Sequence, residues 1–316
     1  MRWRSVTCFL AAGALAGQQE LPTIKVDVDL VNVLFSVRDK RNALVGNLAK
    51  DDFAVFEDGK EQQTRYFARE SDLPLTLGLL VDVSPSQVRL IEEEKVAAHK
   101  FFSGVLRPKD MAFLISFGPE AELLQDFTNS AKLLRAGLDQ LRVRGGGGGV
   151  HPGPVPTISK PKGTVLFDAV YLAAAEKLRR EVGRKAVVLI TDGVDYGSHY
   201  SREDAIAEAH KSDAIIYSIY FFDYGFYSRG GGFAPGDGDL RRMSEQTGGR
   251  LFHVDRRNSL EEVFRQIQEE MRSQYAIAYS SSNPVKDGGF RKIEIRPRDR
   301  TLKVQSRKGY FAAPQT

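Results

Sequence analysis

The hydrophobic rhythm of the chain changes twice. From Ile24 to Val37 apolar and polar residues alternate for much of the run, the two-residue period of a half-buried strand. The stretch DDFAVFEDG from Asp51 to Gly59 repeats the alternation and ends in Asp-Gly, a hairpin signal, and Gln63 to Arg69 reads as another strand. No helical pattern interrupts them, so residues 22–70 predict a small antiparallel β segment.

After Leu73 short apolar runs alternate with amphipathic ones. Strands are predicted over Leu75–Val83, Met111–Phe117, Lys185–Thr191, Ala214–Phe221 and Arg250–Val254. Helices are predicted over Gln87–Leu106, Ser130–Leu141, Thr164–Arg180, Arg202–Lys211, Leu240–Gln246 and Ser259–Ser273. Ala186-Val-Val-Leu-Ile190 shows no alternation, as expected where helices cover both faces of a parallel sheet. Val263, Phe264, Ile267 and Met271 share one helical face at spacings of three and four. Residues 73–274 thus predict an α/β, doubly wound domain with a mainly parallel sheet. Beyond Gln274 the β pattern returns in Tyr275–Ser281, Phe290–Arg296 and Leu302–Phe311, giving a C-terminal β segment over 275–313. Neither β segment is large enough to stand alone, so the expectation is one small β-sandwich formed by both, with the α/β domain inserted between them. Two independent β appendages are the alternative.

Two stretches predict no regular element. One joins the glycine run Gly145–Gly149 to a proline-rich segment from His151 to Pro161; the other, Phe222 to Gly238, mixes glycine with aromatic residues.

Composition adds little to the fold and more to the setting. With 42% apolar and 27% charged residues the chain is an ordinary globular one, and its net charge of +4 is not gathered into a stripe that would suit nucleic acid. Residues 1–16 have the layout of a secretory signal peptide: Arg2 and Arg4, an apolar run from Val6 to Leu15, and the small-x-small triplet Ala14-Leu15-Ala16. The run falls short of the ~20 residues that span a bilayer. The protein is therefore expected to be exported, periplasmic or extracellular, with no transmembrane segment after signal removal. Cys8, the single cysteine, lies in that leader, so the mature chain is expected to hold no disulfide.

Candidate chemistry gathers at predicted strand ends, where open α/β sheets bind their ligands. Asp82, Ser84 and Ser86 follow the first strand of the domain, Asp192 follows Lys185–Thr191, and Thr164 opens a helix. Taken singly, Ser86 reads as a helix cap and Asp192 as an Asp-Gly turn residue. If their strands are neighbours, the five supply two carboxylates and three hydroxyls, an all-oxygen set suited to Mg²⁺ or Mn²⁺. Such an ion stays under-neutralised and favours one more anionic oxygen from a partner.

Asp82-x-Ser-x-Ser86, Thr164 and Thr191-Asp-Gly193 together resemble the metal-ion-dependent adhesion site of von Willebrand factor A (VWA) domains, over about residues 73 to 274. The resemblance implies direct metal contacts from Ser84, Ser86 and Thr164, with Asp82 and Asp192 acting directly or through water. Val37-Arg-Asp-Lys40, Asp51–Gly59, Arg291-Lys-Ile293 and Arg307-Lys-Gly-Tyr310 resemble the flanks of a secreted bacterial VWA-related subgroup. Pro85 departs from the small residue, often glycine, between the two serines; it removes one N–H and stiffens the turn.

Catalysis is not the expected role. Ser84 stands where a phosphoryl-transfer site of this kind would carry a second aspartate, and neither a Gly-x-Ser-x-Gly elbow nor a Walker-type cradle occurs. His99 falls in a predicted helix and His253 in a predicted strand, where a structural role is expected, and His151, His199 and His210 show no metal-ligand spacing. The loops beyond Asp192 and Phe221 carry Tyr196, His199, Tyr200, Tyr224, Phe226, Tyr227 and Phe233, aromatic residues among glycines that suit a recognition surface. The expected function is binding of a protein or polysaccharide through its acidic group. A metal-dependent hydrolase of phosphoesterase type, a structural envelope component with a vestigial site, and rings that pack back onto the domain are the alternatives.

Overall fold

The computed structural model describes residues 30–69, 73–143, 163–229 and 236–312. The leader expected over residues 1–16, the glycine run Gly145–Gly149 and Phe233 lie outside them.

Four strands come first: β1 (Leu30–Arg38), β2 (Phe53–Glu57), β3 (Lys60–Gln62) and β4 (Thr64–Arg69). The Asp-Gly hairpin between β2 and β3 forms with both turn residues at positive φ, 49° at Asp58 and 82° at Gly59, as a tight antiparallel turn requires. The α/β part then runs β5 (Leu75–Asp82), α1 (Ile91–Val105), β6 (Met111–Phe117), β7 (Ala121–Thr128), α2 (Ala131–Leu138) and α3 (Leu166–Leu172). It continues through β8 (Arg184–Thr191), α4 (Arg202–Lys211), β9 (Ala214–Tyr220), α5 (Tyr224–Arg229), α6 (Gly238–Thr247), β10 (Leu251–His253) and α7 (Leu260–Arg272). The chain closes with β11 (Tyr275–Ser280), β12 (Phe290–Pro297), β13 (Lys303–Ser306) and β14 (Gly309–Phe311).

The central sheet has the order β10-β9-β8-β5-β6-β7, parallel except for β7 at the edge. Every residue of β5, β8 and β9 is buried, which is why their middles, Leu77–Val81, Ala186–Ile190 and Ala214–Tyr217, read as unbroken apolar runs. Leu77, Leu79 and Val81 face α1 and α7, packing with Phe101, Phe102, Phe264 and Ile267. Leu80, Val187 and Leu189 face α3, α4 and α6, packing with Val170, Ala205 and Leu240. From β5 the chain winds first to β6 and β7 and later to β8, β9 and β10 on the other side, so the carboxyl ends of β5 and β8 flank the topological switch point.

The terminal β segments pair with each other. One sheet has the order β13-β1-β11-β4 and the other β14-β12-β2-β3, each mixing strands from both ends of the chain. Val33, Phe35, Val55, Tyr275, Ile277 and Ile293 fill the space between them. The predicted sandwich is present, and two separate appendages are not.

Two predicted features differ. β7 was not expected: its sequence AELLQDFT lacks clean alternation, and its pairing with β6 is broken by register shifts at Ala112 and Leu114. The stretch from Phe222 to Gly238 was expected to stay irregular, but it forms α5 and the start of α6.

His210, near the end of α4, is buried against Phe290 and Phe311 of the sandwich, with ring centroids 5.4 and 6.4 Å away. Burial pushes its imidazole down to about 4; the nearby Arg307 adds to this and Asp213 opposes it. Between pH 6.5 and 4 the unfolded chain therefore takes up a proton that the folded one refuses, and stability falls as pH drops. The expected loss attributable to His210 is about 2 kcal/mol from pH 7 to pH 5. Urea denaturation of wild type and His210→Gln at both pH values checks it: the variant should show a shallower pH dependence, and equal slopes would reject it.

Candidate metal centre

β5 and β8 are parallel neighbours, paired from Leu75 with Arg184 to Val81 with Ile190, so Asp82 and Asp192 leave the sheet side by side. Both are sealed from solvent, Asp82 at 0% and Asp192 at 1% exposure, and Ser84, Ser86 and Thr164 are buried with them. A continuous run of hydrogen bonds joins most of this set. The Ser84 and Ser86 hydroxyls lie 2.9 Å apart, and Ser86 Oγ donates to Asp192 Oδ2 at 2.5 Å. Asp82 Oδ1 accepts from the Ser84 N–H at 2.8 Å, and Asp82 Oδ2 accepts from Thr191 Oγ1 at 2.6 Å.

The local chain explains these positions. Asp82 holds its own loop through the bond to the Ser84 N–H, a turn that aspartate side chains favour. Pro85 then opens a single 3-10 turn over Pro85–Gln87, where its fixed φ suits the first position and its missing N–H has no partner to lose. Ser86 sits inside that turn and sends its hydroxyl to Asp192; it does not cap α1, which starts at Ile91 behind Leu90 without a side-chain cap. Asp192 does also make its turn: Gly193 has φ 83°, and Asp192 Oδ1 accepts from the Val194 N–H at 3.2 Å.

Thr164 is placed beside this group by its backbone. Its carbonyl accepts from the Tyr196 N–H at 2.9 Å, and the next N–H, of Val165, donates to Gly118 O at 2.8 Å. Gly118 in turn follows Phe117, whose carbonyl accepts from the Val83 N–H. Among the described residues no hydrogen bond links the Thr164 hydroxyl to the Asp82–Asp192 set.

The electrostatics favour an incoming cation. Burial, and then the charge of Asp192, push the Asp82 carboxyl well above the usual carboxylate range, against the bonds from Thr191 and Ser84. Behind the loop, on α1, Glu94 is fully buried with neither carboxylate oxygen hydrogen-bonded. Burial first, then the charges of Asp82, Glu93 and Asp192, hold its carboxyl well above its ordinary range. Glu94 escaped the sequence reading. The available signal was an acid on the helical face shared by Ile91, Ala98, Phe101 and Val105.

The aromatic residues divide. Tyr196 and Tyr224 are 76% and 73% exposed, and Phe226 is exposed beside them. Tyr200 stacks on Tyr171 at 3.5 Å, and its N–H donates to Asp168 Oδ1 at 2.9 Å. His199 also bonds to Asp168, through its N–H at 2.7 Å and through Nδ1 at 2.9 Å. Asp168 thereby anchors the loop beyond β8. Tyr227 turns inward, and its hydroxyl donates to Asp192 Oδ2 at 2.6 Å. Nothing in its sequence neighbourhood signals that contact.

The donor set fits a hard divalent cation. Two buried carboxylates whose charges repel each other, with hydroxyls between them, gain from positive charge at their centre. Among the described residues no group of three His, Cys, Asp or Glu side chains is placed to hold a metal, so the hydroxyls would have to complete the shell. Softer transition metals favour His and Cys, and among the described residues no group of three such ligands is placed to hold one.

No family model matches the chain, and no curated protein matches it. Solved structures similar to it include BatB from Bacteroides thetaiotaomicron, at 16% identity and TM-score 0.47, covering 62% of this chain and 97% of that one. Proximal thread matrix protein 1 of the mussel byssus, with a zinc-occupied MIDAS motif, is 15% identical at TM-score 0.46; the match covers 67% of this chain and 48% of that one. The vWF domain of the type V pili tip protein Mfa5 from Porphyromonas gingivalis is 13% identical at TM-score 0.44, covering 63% and 95%.

Proposed function

We propose that the protein is an exported VWA-type binding protein that uses a divalent cation, Mg²⁺ or Mn²⁺, to capture an acidic group on a protein or polysaccharide partner. The observation that carries this reading is the hydrogen-bonded run from Asp82, through the Ser84 N–H and the Ser84 and Ser86 hydroxyls, to Asp192 at the switch point of the sheet. Asp82, Ser84, Ser86, Thr164 and Asp192 would hold the ion, which when bound supplies an electrophilic anchor for a carboxylate or similar oxygen. The protein's own part is to bury that set, so that a charge contact formed there is weakly screened. Export rests on the leader-like residues 1–16. Among the described residues no helix is long and apolar enough to cross a membrane.

Binding is favoured over turnover because Ser84, a neutral hydroxyl, occupies the position from which a second carboxyl would deliver a proton. The reading is tested by capture of partners from envelope and secreted fractions in Mg²⁺, with and without chelator. Partners retained equally in chelator would reject it, and hydrolysis of a phosphoester panel that disappears in Asp82→Ala would replace it with the hydrolase.

Specificity is assigned to the exposed rings. Tyr196, in the loop after β8, and Tyr224, at the start of α5, present large apolar faces beyond the carboxyl edge of the sheet, and aromatic anchors contribute most to an interface. Replacing both with Ala should weaken partner binding by about 1–3 kcal/mol, measured by calorimetry, while the affinity for Mn²⁺ stays unchanged. Unchanged partner affinity would show that the rings lie outside the interface.

A further inference from the structure

Tyr227 belongs to the recognition loop by sequence but to the metal centre by contact. Its hydroxyl and that of Ser86 both donate to the same atom, Asp192 Oδ2, at 2.6 and 2.5 Å. A carboxylate oxygen has two in-plane lone pairs, so both are spoken for. Asp192 Oδ1 accepts from the Val194 N–H as well. A cation that draws on Oδ2 must therefore displace one of two donors. Ser86 is a candidate ligand fixed in the loop that carries Ser84, so the phenol is the donor free to leave.

The element carrying the phenol is built to move. α5 has only six residues, too few for a helix to hold by its own hydrogen bonds. Asp223 ties its start, accepting the Gly225 N–H on Oδ1 at 2.7 Å and the Phe226 N–H on its carbonyl at 3.0 Å. The ion pair from Arg89 to Asp223 is long, 3.6 Å, and Arg89 is half exposed. Phe222 and Phe226 meet the Tyr227 ring edge-on at 6.1 and 5.3 Å and steer it toward Asp192. Tyr224 and Phe226, by contrast, leave much of their surface in water.

We infer that Tyr227 sets the cation affinity of the site: its phenol competes with the ion for Asp192 Oδ2, and α5 lifts as the ion enters. This rests on the proposed metal-binding role and adds to it a residue outside the adhesion-site pattern. Because α5 also carries Tyr224 and Phe226, the same movement would rearrange the recognition surface when metal binds. A bond to a charged acceptor is worth enough for its loss to be read directly in affinity.

The test is Mn²⁺ titration of the full chain, wild type and Tyr227→Phe, followed by calorimetry. The phenylalanine keeps the ring and its packing and removes only the donor. Competition predicts Mn²⁺ binding about tenfold tighter in the variant. A supporting role for the phenol, orienting Asp192 toward the ion from outside the shell, predicts binding 10–100-fold weaker. Weaker or equal binding therefore overturns the inference and leaves the metal site standing. Binding by neither protein removes the metal site and the inference together. Hydrogen exchange supplies a second readout in wild type: amides 224–229 should exchange faster in saturating Mg²⁺, and unchanged or slower exchange would count against a lifting α5.

Discussion

Asp82→Asn is expected to leave the fold intact and remove divalent-cation binding. The asparagine side chain retains an oxygen for the Ser84 N–H, which Asp82 Oδ1 accepts at 2.8 Å, but it carries no charge. Mn²⁺ affinity should fall by more than about a hundredfold, since even groups outside the shell are worth 10–100-fold. The effect on stability runs the other way. Burial and Asp192 disfavour the ionised form of Asp82, so above the ordinary carboxylate range its charge costs the metal-free protein stability. Without metal, Asp82→Asn should melt at or above the wild-type temperature at pH 7.5. With Mg²⁺ only the wild type should gain, by mass action on the folded state. An equal gain in the variant would place the ion elsewhere. Such a pair of outcomes is the mark of a site held at the expense of stability.

The same contrast explains what the sequence made legible. Strands buried on both faces announce themselves, because their middles, Leu77–Val81 of β5, Ala186–Ile190 of β8 and Ala214–Tyr217 of β9, are apolar or small without a break and few other environments demand that. That the two ends of the chain pair, as β1 does with β11, could be anticipated because each β segment is too small to stand alone. β7 could not: as a bulged edge strand it has no constant inward face to impose a period. α5 was hidden for a different reason. Its residues, Tyr-Gly-Phe-Tyr-Ser-Arg, have little helical preference, and it is held by Asp223 and by the Tyr227 bond to Asp192, a partner 35 residues away. Ser86 shows the limit most clearly. Locally it satisfies every rule for a helix cap, and only its bond to Asp192, 106 residues on, reveals where its hydroxyl goes. Local chemistry locates a polar residue at a strand end, while its use depends on which strand folds up next to it.

Removal of Glu270 should be among the most destabilising single changes in the chain. Glu270 lies on α7 at 1% side-chain exposure, where it accepts from Arg38 Nη2 at 2.6 Å and from Ser36 Oγ at 3.2 Å, both on β1. Arg250, which precedes β10, reaches the same carboxylate at 3.3 Å. One buried acid thus fastens the sandwich to the α/β domain and separates two guanidinium groups. Glu270→Ala leaves Arg38, itself only 12% exposed, beside Arg250 with no counter-charge, a loss of about 3–5 kcal/mol. Glu270→Gln should cost less, because the amide oxygen can still accept from one arginine. A double change, Arg38→Met with Glu270→Leu, removes both buried charges of the closest pair and should recover much of the loss, as apolar replacements of buried ion pairs do. Urea unfolding of the four proteins decides this. If Glu270→Ala costs under about 1 kcal/mol, the carboxylate is not what joins the two parts. If it costs the expected amount but the double variant recovers nothing, the damage comes from lost shape at the α7–β1 contact and not from stranded charge.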